Sequence, residues 1–143
     1  MAFRDLILAQ PRPARVRSVT LPRRERYFPS PADWRDEWIY FLIVDRFNNT
    51  AALSRHPPFD DPDCFQYQGG KFSGIRAQFP YIKGLGAGAI WLSPVLKNAM
   101  FDQGSYHGYG IQDFLSANPF FADNAAHADQ ELRDLVDAHQ ASL

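Results

Sequence analysis

The sequence predicts a parallel α/β fold. Two apolar runs, at residues 38–44 and 89–92, are rich in β-branched and aromatic residues, which is the pattern of strands buried inside a sheet. Apolar residues at helical spacing follow each run, between residues 75 and 85 and over residues 129–138. The order strand, helix, strand, helix is typical of parallel βα units, whose binding sites lie at the carboxyl ends of the strands.

The composition indicates a soluble, globular piece of protein. With 143 residues, 45% hydrophobic and 15% aromatic, the chain can form one modest core. A formal net charge of -1 gives no field that attracts nucleic acid, and no apolar run approaches the roughly 20 residues of a membrane span. Cys64 is the only cysteine, which excludes an intramolecular disulfide and a cysteine-built metal site. Residues 1–10 lack the basic start and sustained apolar core of a signal peptide, so we expect a cytoplasmic protein.

The N-terminal segment, residues 1–36, is predicted to be an extended arm rich in proline and arginine. Residues 10–31 hold five of the 11 prolines and six arginines against one acid, Glu25. Such a segment packs poorly. It is either a solvated lead-in or an arm that docks on an acidic partner or covers the base of a domain.

The first strand is expected at residues 38–44, buried on both faces. Asp45 and Arg46 follow it directly, and we interpret them as a structural ion pair, since arginine does not titrate usefully. Tyr40 and Trp91 are interpreted as core aromatic residues of the two strands. Residues 48–70, rich in Asn, Asp, Pro and Gly, predict a long irregular loop.

The first helix is predicted from Phe79, Ile82 and Leu85, which recur at helical spacing. It is expected to begin near Pro80, because the first turn of a helix tolerates proline, and to end in the glycines of residues 84–88.

The second strand, residues 89–92, is followed by a long predicted loop that runs to about residue 123. The last helix, residues 129–138, is expected to be amphipathic. Its apolar face is formed by Leu132, Leu135 and Val136.

The loop after the second strand has the composition of a carbohydrate-binding loop. Glycines and a serine keep its backbone open, and it presents Tyr106, His107, Tyr109 and Asp113 within eight residues. A pyranose ring needs an aromatic face and directional hydrogen bonds, which these side chains supply. The alternative for each is a residue that packs or orients the turn.

Four ordered motifs resemble the opening of an α-amylase family (family 13) glycoside hydrolase. They are the strand leading to Asp-Arg-Phe (39–47), the Gly-Gly-Lys-Phe-Ser-Gly-Ile run (69–75), the segment ending in Trp-Leu-Ser-Pro (81–94), and the Tyr-His-Gly-Tyr and Gln-Asp-Phe motifs (106–114). The resemblance implies a (β/α)8 TIM barrel. Residues 37–143 would then be the N-terminal portion of the catalytic domain, two βα units with long loops that stop before the third strand.

The family cleaves or transfers α-glucosidic linkages of starch- or glycogen-type α-glucans and maltooligosaccharides with retention. That chemistry needs two carboxyl groups about 5–5.5 Å apart, which the family carries at the fourth and fifth strands. The resemblance therefore implies that no catalytic residue lies in this chain and that the chain alone is inactive. The alternatives are a non-catalytic sugar-binding or structural relative, or a piece that assembles with a separate chain supplying the remainder of the barrel.

The resemblance carries substrate-binding roles onto four residues. Tyr109 matches the tyrosine that stacks on the sugar at the cleavage position, and His107 matches the histidine that hydrogen-bonds near it; Tyr106 and Asp113 complete the set. Asp113 either contacts the sugar or orients the loop through backbone amides. Gly110 departs from members that have tryptophan there, so their outer stacking platform is not carried over.

The first long loop raises the question of calcium. Asp60, Asp61 and Asp63 offer oxygen ligands, and many family members bind calcium in this loop. Residues 48–51, Asn-Asn-Thr-Ala, depart from the family's Asp/Asn-Gly-Asn pattern, and Lys71 stands where a variant of the next motif has aspartate. Because a lysine repels a metal ion, the acidic residues are interpreted as a surface turn, with calcium in the full-length protein as the alternative.

Overall fold

The computed structural model describes residues 29–51 and 62–142. Most of the predicted arm and much of the first predicted loop therefore lie outside the described residues. The strands are β1 (Ile39–Leu42), β2 (Ala89–Leu92), β3 (Leu96–Asn98) and β4 (Ile111–Ala117). The α-helices are α1 (Val44–Phe47), α2 (Phe72–Ala77), α3 (Phe79–Gly84) and α4 (Ala128–Ser142). Short 3-10 helices lie between them at Trp34–Asp36, Pro62–Phe65, Gln103–His107, Pro119–Phe121 and Ala125–His127.

Strands β1 and β2 pair in parallel, as predicted. Ile39 lies opposite Ala89 and Leu42 opposite Leu92. Beyond the paired residues, the Ser93 amide donates to the Leu42 carbonyl at 2.9 Å. The carboxyl ends of both strands therefore open at one edge, where α1 and the segment after β2 begin.

Only one face of this sheet is covered within the described residues. Tyr40, Leu42 and Ile90 pack into or against the core beneath the helices. On the other face Phe41 is 48% exposed and Trp91 62% exposed, and their rings meet edge to face at 5.4 Å. The predictions of a first strand buried on both faces and of a core position for Trp91 are thus wrong here, because helices cover a single side of the sheet.

The helix predicted around residues 75–85 is two short helices. The chain breaks at Gln78, whose φ and ψ of -102° and 10° are not helical, and Pro80 lies in the first turn of α3, as predicted. Phe79 and Ile82 are buried, whereas Leu85 is exposed. The helix ends before Gly86, which takes the left-handed φ of 89°.

An antiparallel pair, β3 with β4, occupies the segment predicted as a loop. Leu96 lies opposite Ala117 and Asn98 opposite Ile111, with register irregularities between them. Lys97 and Asn98 are buried in this pair, so the strands lack the apolar alternation that identifies a half-buried strand in a sequence.

Helix α4 confirms the last predicted helix and extends it at both ends. Leu135 is buried against the core and Leu132 partly so, while Val136 is 37% exposed. The Ala117 amide donates to the Asp129 carboxylate at 2.6 Å, which ties the end of β4 to the first turn of α4. Within residues 29–51 and 62–142, no helix has the length and apolar character to cross a membrane.

Candidate functional site

Two of the predicted binding residues, Tyr106 and His107, lie on a 3-10 turn, Gln103–His107, at the end of the sheet where β1 and β2 terminate, and Tyr109 follows directly after the turn. Asp102 begins the turn by accepting a hydrogen bond from the Gly104 amide at 2.9 Å. Gly108 ends it with a φ of 89°, and a Cβ there would collide with the Pro94 carbonyl just beyond β2. Only glycine fits this close approach, which directs the chain outward into Tyr109.

Asp45 is committed to structure. The residue is 2% exposed, and its carboxylate accepts hydrogen bonds from the amides of Gln68 at 2.8 Å and Gly69 at 3.0 Å. Arg46 Nε lies 3.5 Å from one of its oxygens, which confirms the predicted ion pair. Burial raises the pKa of Asp45, although the two amide bonds and the charges of Arg46 and Lys71 act in the opposite direction.

Arg46 supports the turn from the β1 side. Its guanidinium donates to the Cys64 carbonyl at 2.6 Å, and its Cζ lies 3.8 Å from the centre of the Tyr106 ring. This cation-π contact occupies one face of Tyr106. The His107 ring meets Tyr106 edge-on at 5.4 Å. Tyr106 is therefore partly buried in the base of the turn.

His107 and Tyr109 form the outer part of the turn. The Tyr109 amide donates to His107 Nδ1 at 3.0 Å, so the proton of the neutral imidazole is on Nε2. The two rings are 5.7 Å apart, inclined at 37°. Tyr109 is 65% exposed. Together they offer an open aromatic face beside a ring N-H donor.

Asp113 lies on β4 rather than in a loop, opposite Lys97 in the strand register. Its carboxylate accepts the Leu115 amide at 2.9 Å and the Ser116 hydroxyl at 3.4 Å. These bonds correspond to the backbone-orienting alternative for this residue. The fold thus brings Tyr106, His107 and Tyr109 together in one turn, while the bonds of Asp113 stay within its own strand.

Three residues that support the turn from below carry no sequence motif: Tyr67, Asn98 and Asn118. The Tyr67 hydroxyl donates to the Ser105 carbonyl at 3.1 Å, and Asn98 Nδ2 donates to the same oxygen at 3.1 Å. Asn118 Nδ2 donates to the Tyr67 hydroxyl at 3.2 Å. Both asparagines are fully buried. In the sequence, each asparagine is visible only as an amide residue next to apolar residues in a predicted loop.

Lys71 occupies the motif position at which aspartate would favour a metal. Its ammonium donates to the carbonyls of Phe120 and Ala122, both at 2.8 Å. Burial lowers the pKa of Lys71, and the carboxylates of Asp123 and Glu131 oppose that change. The ammonium therefore joins the start of α2 to the segment before α4.

The calcium alternative concerns the loop before this lysine. Asp60 and Asp61 lie outside the described residues, as does the side chain of Asp63. Within the described ranges no group of three or more His, Cys, Asp or Glu side chains could hold a metal ion. Calcium binding by the three aspartates stays a prediction.

Comparison with known proteins assigns the chain to a family. The profile described as alpha amylase, catalytic domain, matches residues 41–140. Alpha-amylase 1 of Schizosaccharomyces pombe is 40% identical over 119 residues, covering 80% of this chain and 18% of that protein. Alpha-amylase 2 of Schwanniomyces occidentalis is 33% identical over 154 residues, covering 99% of this chain and 29% of that protein.

Solved α-amylase structures share the fold. The enzyme from Geobacillus thermoleovorans, complexed with acarbose, gives a TM-score of 0.60 at 39% identity, over 76% of this chain and 21% of that one. The enzyme from Malbranchea cinnamomea gives 0.62 at 31% identity, over 76% and 22%. The chain spans less than a third of the length of these relatives. It belongs to the α-amylase family of glycoside hydrolases.

Proposed function

We propose that the chain contributes the N-terminal, sugar-binding part of a (β/α)8 catalytic barrel that acts on α-glucosidic linkages with retention. The substrates would be starch- or glycogen-type α-glucans or maltooligosaccharides, by hydrolysis or transglycosylation. The observation that carries the proposal is the outward pairing of Tyr109 with His107, at the carboxyl edge of a parallel strand pair. The acarbose complex of the Geobacillus relative supports an oligosaccharide ligand.

The roles of the turn residues follow from their surroundings. The exposed Tyr109 ring offers its face to the C-H groups of a pyranose. His107, which accepts a backbone amide through Nδ1, has Nε2-H to donate to a sugar hydroxyl. Tyr106, backed by Arg46, would border the site, and Asp113 would shape the strand behind it.

The catalytic carboxyl groups are proposed to lie outside this chain, so the 143-residue chain alone would be inactive. Retaining hydrolysis needs a nucleophile and an acid/base about 5–5.5 Å apart. Asp45, the buried carboxylate near the turn, is saturated by backbone amides and Arg46, which leaves it unsuited to either role. Residues 1–36 would be an arm that precedes the barrel, and residues 37–143 its opening βα units.

Two further predictions belong with this proposal. Calcium in the full-length protein would involve the loop that carries Asp60, Asp61 and Asp63, and a cytoplasmic location remains a prediction from the sequence. A non-catalytic sugar-binding or structural relative is the alternative function. A sugar-binding relative would bind a maltooligosaccharide without cleaving it, and a structural relative would neither bind nor cleave it.

The experiment compares the purified 143-residue chain with the complete catalytic domain that contains it. Reducing-sugar release from soluble starch and from maltoheptaose is measured for both, together with acarbose binding by titration calorimetry. We expect cleavage and binding by the complete domain and no cleavage by the short chain. Binding without cleavage by the complete domain would favour the non-catalytic alternative. A complete domain that neither binds acarbose nor cleaves the substrates would overturn the proposal.

A further inference from the structure

We infer that Tyr67 is a positioning residue for the sugar site: its hydroxyl fixes the Ser105 carbonyl and so sets the place of His107 and Tyr109. The inference rests on the proposed function of this turn. Tyr67 lies 38 residues before Ser105 in the chain. Its hydroxyl contacts the buried Ser105, whereas the Tyr109 ring is exposed.

The Ser105 carbonyl closes the turn that carries the aromatic pair. It accepts the Gly108 amide at 3.0 Å, which spans Tyr106 and His107. The same oxygen accepts the Tyr67 hydroxyl and Asn98 Nδ2, each at 3.1 Å. One carbonyl thus receives three donors, two of them from outside the turn. A shift of this oxygen would move the backbone on which His107 and Tyr109 are mounted.

The Tyr67 hydroxyl is held in one orientation. It accepts amide hydrogens from Asn118 at 3.2 Å and Asn98 at 3.4 Å, so its own hydrogen is directed to the Ser105 carbonyl. Burial raises the pKa of Tyr67, with Asn118 and Asn98 opposing the rise, and the hydroxyl stays protonated as a donor.

The ring of Tyr67 is anchored independently of its hydroxyl. It stacks on Phe120 with 4.2 Å between ring centres and meets Phe121 at 6.1 Å. Lys71 holds the carbonyls of Phe120 and Ala122. Removing the hydroxyl should therefore leave the ring in place and the core intact. The variant Tyr67→Phe separates a positioning role from a packing role.

The test uses the complete catalytic domain, with Tyr81→Phe as the matched control because Tyr81 is an exposed tyrosine on α3. For Tyr67→Phe we expect acarbose binding and KM for maltoheptaose to weaken about tenfold, equivalent to about 1.4 kcal/mol, with a smaller change in kcat. The His107 ring signals in NMR spectra should also shift. Tyr81→Phe should leave acarbose binding, KM, kcat and the His107 signals unchanged.

Several outcomes would overturn the inference. If the wild type is active and Tyr67→Phe leaves acarbose binding and the His107 signals unchanged, the inference is overturned while the proposed function stands. A wild type that neither binds nor cleaves would remove the proposed function as well. Equal losses in the two tyrosine variants would indicate a general effect of removing a hydroxyl.

A second variant keeps the inference testable if Tyr67→Phe does not fold. Asn98→Leu removes another donor to the Ser105 carbonyl, together with a buried amide oxygen that has no hydrogen-bond partner among the described residues. It should weaken acarbose binding in the same direction. Full retention of binding by a folded Asn98→Leu domain would also contradict the inference.

Discussion

Replacing Tyr109 by alanine in the complete catalytic domain is expected to weaken sugar binding by slightly more than tenfold. Tyr109 is 65% exposed. Of a tyrosine surface of about 200 Å², about 130 Å² is thus open, and a pyranose covers one face, about 65 Å². At about 25 cal/mol per Å² this area contributes about 1.6 kcal/mol, or about fifteenfold in affinity.

Tyr109→Phe separates the ring from the hydroxyl. It keeps the aromatic face and should cost much less than Tyr109→Ala, because the predicted contact is made by the ring. Tyr81→Ala removes an exposed tyrosine from α3 and serves as the matched control. The measurements are kcat/KM on maltoheptaose and the Kd of acarbose.

Two results would contradict the predicted stacking contact of Tyr109. Equal losses from Tyr109→Ala and Tyr109→Phe would assign the contact to the hydroxyl and contradict the stacking argument. An alanine variant as active as Tyr81→Ala would place Tyr109 outside the binding site.

Three further predictions concern the turn, its support and the isolated chain. His107→Ala should lower kcat/KM without a large change in Tm, since within the described residues the only hydrogen bond of its side chain is with the nearby Tyr109 amide; a large fall in Tm would instead assign it a structural role. Lys71→Met should lower the free energy of unfolding by about 2 kcal/mol, because two carbonyls lose a charged donor. Burial lowers the pKa of Lys71 in the folded chain below its ordinary value of 10.5. Between these two pKa values the unfolded chain binds more protons than the folded chain, so the free energy of unfolding rises with pH. Denaturant titrations at alkaline pH should show this rise in the wild type and not in Lys71→Met. The 143-residue chain alone should self-associate through the apolar face of Phe41 and Trp91, and a monomer with a sharp cooperative melt in sedimentation and calorimetry would be the contrary result.

Local apolar patterns predict that a strand or helix forms and that at least one of its faces is buried. An apolar run predicts strand β2 and apolar residues at helical spacing predict helix α4, and both elements are present. The same patterns do not report what covers the opposite face. Phe41 and Trp91 are as apolar as core residues, yet they are exposed on the uncovered side of the sheet.

The β3–β4 pair shows a second limit. Its strands are short and irregular in register, and β3 buries Lys97 and Asn98. Polar residues in a glycine-rich segment favour a loop prediction, whereas the strand arises from pairing between distant segments. Strand propensity depends strongly on such neighbours and less on the residues themselves.

In the candidate site, too, the residues that are contiguous in the chain could be predicted and the distant residues that support them could not. Tyr106, His107 and Tyr109 could be predicted to act together because they are adjacent in the chain. Their support could not, because it comes from segments up to 60 residues away: Arg46 lies against the Tyr106 ring and Tyr67 bonds to the turn backbone. These contacts hold Tyr106 and Ser105 inward, and Gly108 then turns the chain out against Pro94. Because the Ser105 carbonyl and one face of the Tyr106 ring are occupied by protein groups, the described part of the turn leaves the exposed Tyr109 ring and Nε2 of His107 as the candidate recognition groups.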